Sequence, residues 1–156
     1  MEQIKEYFRN SQDLIKNVYK TEVKLLKSQD KYNLTGVIDI IANPNGEYHL
    51  YDFKAQRMTE IKKDIRFYND QLNLYYHILK TAYKLDVSRM FIYSTHLNSK
   101  ADKVYEVQID PIGVDALVSE LDGIALRIVN RDFSHDRSSV DKKVCTKCGL
   151  QFFCRG

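Results

Sequence analysis

The segment GVIDIIANPNGEYHLYDFK, residues 36–54, constrains this chain more than any other. Two runs of aliphatic and aromatic residues flank Asn43-Pro44-Asn45-Gly46, a stretch whose residue types favour a turn. An antiparallel hairpin is predicted, with Asp39 in its first strand and Asp52 and Lys54 in its second. If the loop has two or four residues centred on Pro44 and Asn45, Asp39 lies opposite Leu50 and diagonal to Asp52, about 7–8 Å away at the Cα atoms. The period of two then puts Asp39, Asp52 and Lys54 on one side of the sheet, unless a bulge breaks the parity. Carboxylates in strands otherwise built from Val, Ile, Leu, Tyr and Phe are costly unless a cation or several donors meet them. A divalent metal suits the pair: Mg²⁺ takes oxygen ligands, often one or two carboxylates with waters and substrate phosphate, and activates both water and phosphodiester. Lys54 could then orient the attacking water or offset developing charge. Alternation alone equally allows a surface pair between Asp52 and Lys54 with Asp39 at a strand end.

The rest of the chain supplies a domain around this hairpin. Ile4, Tyr7, Phe8, Leu14, Ile15 and Val18 recur with helical spacing, so an amphipathic helix is predicted over residues 1–18. TEVKLLKS then reads as a first strand. Over residues 64–84 the period becomes three to four through Leu72, Tyr75, Tyr76, Leu79 and Tyr83, which predicts a helix packed on the sheet. VSRMFIYS follows as a buried strand, and Tyr105, Val107 and Ile109 alternate with polar or exposed positions as an edge strand would. Asp110 and Pro111 suit a helix N-cap and first helical position, and Val114, Leu117, Leu121, Ala125 and Ile128 extend that helix to about Arg131. The order αβββαββα predicts an α/β domain, a mixed sheet flanked by helices. Its core is expected over residues 1–131. Residues 132–156 are expected to be a loop and cysteine segment of the same domain, and no repeat is seen.

Asp39, Asp52-Phe53-Lys54 and Gln71-Leu72-x-x-Tyr75, in that order, resemble the PD-(D/E)XK nuclease superfamily and specifically its RecB-like branch. Gly36-Val37-Ile38-Asp39 fits that branch's G-x-I-D, Asp52 to Lys54 its D-[YF]-K, and Gln71 to Tyr75 its Q-L-x-x-Y. The branch includes the nuclease domains of RecBCD and AddAB helicase-nucleases and the CRISPR-associated exonucleases. The resemblance implies a restriction-endonuclease-like fold and a DNA nuclease in which Asp39, Asp52 and the Phe53 carbonyl bind Mg²⁺ or Mn²⁺. It makes Lys54 the catalytic lysine and puts Gln71 and Tyr75 beside the site on one helix face, as their i, i+4 spacing independently allows. Glu22 matches an acidic position in the family's first strand, although a solvent-facing Glu fits as well. The family's upstream metal-binding histidine has no counterpart in residues 1–20. His49, His77, His96 and His135 read as ordinary surface or partly buried imidazoles.

Cys145, Cys148 and Cys154, the only cysteines, lie together near the C-terminus and read as soft-metal ligands. Their C-x2-C-x5-C spacing is that of RecB-like members holding a 4Fe-4S cluster with a fourth, upstream cysteine. That resemblance implies three cluster ligands here. Zinc completed by a histidine is the alternative, and three unrelated thiols the remaining one. The absent histidine and fourth cysteine would both precede residue 1, so the chain reads as the C-terminal part of a larger protein such as a helicase-nuclease, with a short stand-alone member as the other case.

Composition narrows the function classes without choosing among them. With 156 residues, 44% hydrophobic and 29% charged, the chain can bury a core, which excludes a wholly disordered segment. No run approaches a membrane span and the N-terminus has no signal-peptide character, so a cytoplasmic protein without membrane contact is expected. A formal charge of +3 permits a polyanionic partner without requiring one. The leading expectation is a metal-dependent deoxyribonuclease acting on single-stranded DNA ends, with a helicase domain in cis or in trans, in DNA repair or recombination. A catalytically silent DNA-binding or bracing module, and a zinc-ribbon interaction module, are the alternatives.

Overall fold

The computed structural model describes residues 12–96 and 103–132, with the isolated positions 146 and 149. Five strands form one sheet in the order β1-β2-β3-β4-β5: β1 (Val18–Ser28), β2 (Asn33–Ala42), β3 (Tyr48–Lys54), β4 (Val87–Ser94) and β5 (Val104–Val107). β3 and β4 are parallel and the other neighbours antiparallel, so the sheet is mixed. A parallel pair needs a crossover. It consists of the short helix α2 (Met58–Ile61), a 3-10 turn (Lys62–Asp64) and the long helix α3 (Ile65–Ala82); α1 (Gln12–Lys16) and α4 (Pro111–Val129) complete the described α-helices. The restriction-endonuclease-like arrangement expected from the sequence is therefore present, with α2 and its 3-10 turn added.

The helix expected over residues 1–18 ends at Lys16, because Val18 pairs with Ala42 and belongs to β1. Its first eleven residues lie outside those described. Asp110 caps α4 as expected, its Oδ1 accepting from the Gly113 N–H at 2.9 Å.

Helix α3 buries Leu72, Ile78 and Leu79 against Ile38, Ile41, Leu50, Met90 and Ile92, all nearly inaccessible to solvent. The two faces of the sheet separate cleanly in the β3/β4 register. Leu50, Asp52 and Lys54 pair with Met90, Ile92 and Ser94 toward α3, while Tyr51 stacks on Phe91 at 4.8 Å and Phe53 tilts on Tyr93 at 5.2 Å on the other side. Asn73 ties α3 to the start of α4: its amide donates to the Asn69 and Gln108 carbonyls and its Oδ1 accepts from the Asp110 N–H at 2.7 Å.

Tyr32, beside the β1–β2 turn, donates from Oη to Asp122 Oδ1 of α4 at 2.8 Å. Burial, then this carboxylate's hydrogen bond and charge, push the phenol up from 10.0 to about 12. A raised phenol favours the protonated form in the fold, so its stabilisation is complete below pH 10 and is lost as pH climbs toward 12. The stability difference between the wild-type chain and Tyr32→Phe, read by urea unfolding, is expected to shrink across that window. A difference independent of pH would remove the contact from the account.

Candidate active site

The hairpin register differs from the one expected. Ile40, Ile41 and Ala42 pair with Tyr51, Leu50 and His49, so Ile41, and not Asp39, stands opposite Leu50. The loop is longer than assumed because it contains a 3-10 turn (Pro44–Gly46) in which Asn45 and Gly46 take left-handed backbone angles, φ 56° and 89°. Carried one step further, the observed register sets Asp39 level with Asp52. The shift is by two residues, so the predicted parity is unchanged.

The ladder between β2 and β3 ends at Ile40 and Tyr51. Beyond that point the half-buried Asp39 reaches across the gap, and its Oδ2 accepts from the backbone N–H of Phe53 at 2.7 Å. A carboxylate thus replaces a strand carbonyl and holds the two strands in register where they begin to part.

Asp52 is 4% exposed and faces the core, yet it is ionisable. Lys54 Nζ approaches its Oδ2 to 2.7 Å as an ion pair, and that buried oxygen has no other partner among the described residues. Burial pushes the Asp52 carboxyl above its ordinary value, Lys54 pulls it down as donor and charge, and the Asp39 carboxylate adds to the rise. Two carboxylates that repel each other, one of them buried and met by a single ammonium, form a donor set suited to a hard divalent cation. Asp39, Asp52 and the Phe53 carbonyl are the groups that could hold it. Among the described residues no cluster of three or more His, Cys, Asp or Glu side chains gathers, so protein ligands would be few and water or phosphate would complete the shell.

Lys54 links the strand to the helix. Its Nζ donates to Gln71 Oε1 at 3.3 Å, Gln71 Nε2 donates to Tyr75 Oη at 3.1 Å, and the ammonium sits 5.0 Å from the centre of the Tyr68 ring. Asp52, Lys54, Gln71 and Tyr75 therefore form one continuous chain of contacts. Tyr68 had no place in the sequence reading, although Tyr68, Gln71 and Tyr75 recur at helical spacing and the stripe could have been followed one turn earlier. Its hydroxyl donates to Gln56 Oε1 at 2.8 Å, which fixes the ring beneath the ammonium.

Gly36, in the G-x-I-D stretch, lets the Tyr75 ring lie directly on β2. A Cβ added there would overlap the ring at Cε1 and crowd Cδ1 and Cζ. Tyr75 is itself buried, so Gly36→Ala is expected to lower stability by about 1–3 kcal/mol and to displace the Tyr75 and Gln71 side chains. Urea unfolding of the variant, with tyrosine fluorescence as a second signal, checks this; unchanged stability would mean that the ring moves aside freely.

Glu22 is exposed and takes φ 49°, a strained value for a strand residue, and the Thr21–Ile40 and Val23–Ile38 pairs on either side set it level with Asp39 on the neighbouring strand. The remaining candidates are not brought together with these residues. His49 and His77 are lowered mainly by burial and next by Arg89 and Lys27 respectively, which favours neutral rings. Cys145, Cys148, Cys154 and His135 lie outside the described residues.

A family model of the PD-(D/E)XK nuclease superfamily matches residues 1–155. The chain belongs to this superfamily. Such nucleases generally use divalent metals such as Mg²⁺ or Mn²⁺. No curated protein matches the sequence. Among solved structures, a Eubacterium rectale protein provisionally assigned as an exonuclease is similar at TM-score 0.58 and 13% identity, over 96% of this chain and 61% of that one. SSO0001 is similar at TM-score 0.58 and 14% identity, over 94% of this chain and 63% of that one. At these identities the likeness concerns the fold, and the PD-(D/E)XK chain described here spans less than two thirds of either structure's length. Among the described residues no helix is long and apolar enough to cross a membrane.

Proposed function

We propose that this PD-(D/E)XK chain is a Mg²⁺- or Mn²⁺-dependent deoxyribonuclease of the RecB-like branch, acting on single-stranded DNA ends. The observation that carries this reading is the continuous chain Asp52, Lys54, Gln71 and Tyr75, whose Asp52 end lies beside Asp39, where β2 and β3 part. Asp39, Asp52 and the Phe53 carbonyl would hold the metal, which when bound would polarise the phosphodiester and lower the pKa of water. Lys54 does the rest from the protein side. Its ammonium, held between Asp52 and Gln71, orients the attacking water and offsets charge developing on the phosphoryl oxygens. Gln71 acts through Lys54 and Tyr75 through Gln71, so both are positioning residues.

The wider setting belongs to the same proposal: a cytoplasmic nuclease domain of a DNA repair helicase-nuclease, its core over residues 1–131. Cys145, Cys148 and Cys154 of residues 132–156 supply three ligands to a 4Fe-4S cluster, with zinc as the alternative. Iron and sulfide analysis of the longest natural polypeptide, prepared anaerobically, separates the two metals.

The reading is tested by incubating the protein with single-stranded and duplex DNA in Mg²⁺, in Mn²⁺ and in chelator. Metal-dependent cleavage that falls by about a hundredfold or more in Lys54→Ala is expected, since loss of one positioned charge-stabilising group costs of this order. Gln71→Ala is expected to retain more activity than Lys54→Ala. DNA binding without cleavage under any metal would favour the catalytically silent alternative.

A further inference from the structure

We infer that Phe67 is a stacking platform for an unpaired nucleobase of the strand that enters the site, an inference that rests on the nuclease reading above. Phe67 lies in the first turn of α3 and is 66% exposed, although its neighbour Tyr68 is buried. The exposed ring is not loose on the surface. It meets Tyr68 edge-on, centroids 5.5 Å apart at 76°, and Tyr68 in turn carries the Lys54 ammonium 5.0 Å from its own centroid. Two direct contacts therefore connect an open aromatic face to the catalytic lysine of the proposed site.

The surroundings select the occupant. Phe67 borders an open cleft of about 790 Å³ that Lys63, Arg66 and Tyr68 share with Leu117 and Glu120 of α4. Lys63 and Arg66 attract phosphate, whereas Asp64, Asp70 and Glu120, which line the same cleft, repel it. A sugar-phosphate backbone is thus drawn to Lys63 and Arg66 alone, and the three carboxylates disfavour it along the rest of the lining. A base suits that remaining lining: it carries no charge, offers a flat face to Phe67, and has exocyclic or ring N–H groups from which carboxylates accept. Within a duplex both faces of a base are covered by its neighbours. Only an unpaired base can lie on the ring, so the platform favours single-stranded DNA.

The test uses the full chain carrying Asp52→Asn, so that DNA is bound and not cut, and single-stranded oligonucleotides with 2-aminopurine at successive positions. Phe67→Ala is expected to weaken binding about tenfold, as loss of one base stack does, with 2-aminopurine quenching lost at one position and the salt dependence unchanged. Arg66→Ala is expected instead to lower the slope of log affinity against log salt by about one. An abasic nucleotide at the quenched position is expected to abolish the difference between Phe67 and Phe67→Ala chains. Equal affinity of the two chains for the intact strand, or a difference that survives the abasic substitution, overturns the inference. The two readings fail distinguishably: if the chain with native Asp52 cleaves DNA and Phe67→Ala leaves its KM for single strands unaltered, only the platform is lost. If that chain neither cuts nor binds DNA, both are lost.

Discussion

Asp52→Asn is expected to reduce metal-dependent DNA cleavage by about a thousandfold or more, ~4 kcal/mol of transition-state stabilisation, while leaving the chain folded. The substitution keeps the shape of the side chain and removes its negative charge. Asp52 is 4% exposed, and its Oδ2 meets the Lys54 ammonium at 2.7 Å. A metal held by so few protein ligands cannot lose one carboxylate and retain its affinity. Lys54 keeps Gln71 and the Tyr68 ring as neighbours, so its side chain stays anchored. Cleavage of labelled single-stranded DNA across a Mg²⁺ series, with circular dichroism as the folding control, gives the comparison. Activity in the folded variant near that of the wild type would remove Asp52 from the site.

Replacing Leu72 by Ala is expected to cost about 2–5 kcal/mol of stability, the largest effect on the fold among the changes considered. Leu72 is fully buried on α3 against the sheet, and truncation leaves a cavity that its neighbours fill only in part. For a chain of this length that loss lowers the melting temperature by roughly 10 °C. Ile112 in α4 is 84% exposed, so Ile112→Ala is the matched control, expected within about 0.5 kcal/mol of the wild type. Thermal and urea unfolding of both variants measure the contrast. The site shares this dependence, since Gln71 and Tyr75 stand on the same helix; a Leu72→Ala chain as stable as the control would show that α3 is not the main cover of the sheet.

Much of this architecture follows from local patterns. The order of strands and helices was legible in the change from period two to period three to four near residue 64, and the start of α4 in Asp110-Pro111, because capping and periodicity depend on neighbours a few residues apart. The family was legible because its residues recur in order along the sequence, and the family model covers residues 1–155. The short helix α2 was not legible, since four residues carry too little periodicity to distinguish a helical turn from a loop.

The sequence by itself determined which residues compete for a site: two carboxylates and a lysine in apolar strands, and a Gln and Tyr one helical turn apart. Only the tertiary structure decided how they meet. Left-handed angles at Asn45 and Gly46 lengthen the hairpin loop and shift its register by two, which moves Leu50 opposite Ile41 and sets Asp39 level with Asp52. Asp39 then accepts from Phe53, Lys54 reaches Gln71, and Tyr75 settles on Gly36, all contacts between elements distant along the chain. The charge balance at Asp52 has the same origin. Its carboxyl is raised because β4 and α3 exclude water from it, and desolvation is a property of what packs around a residue and not of its own strand.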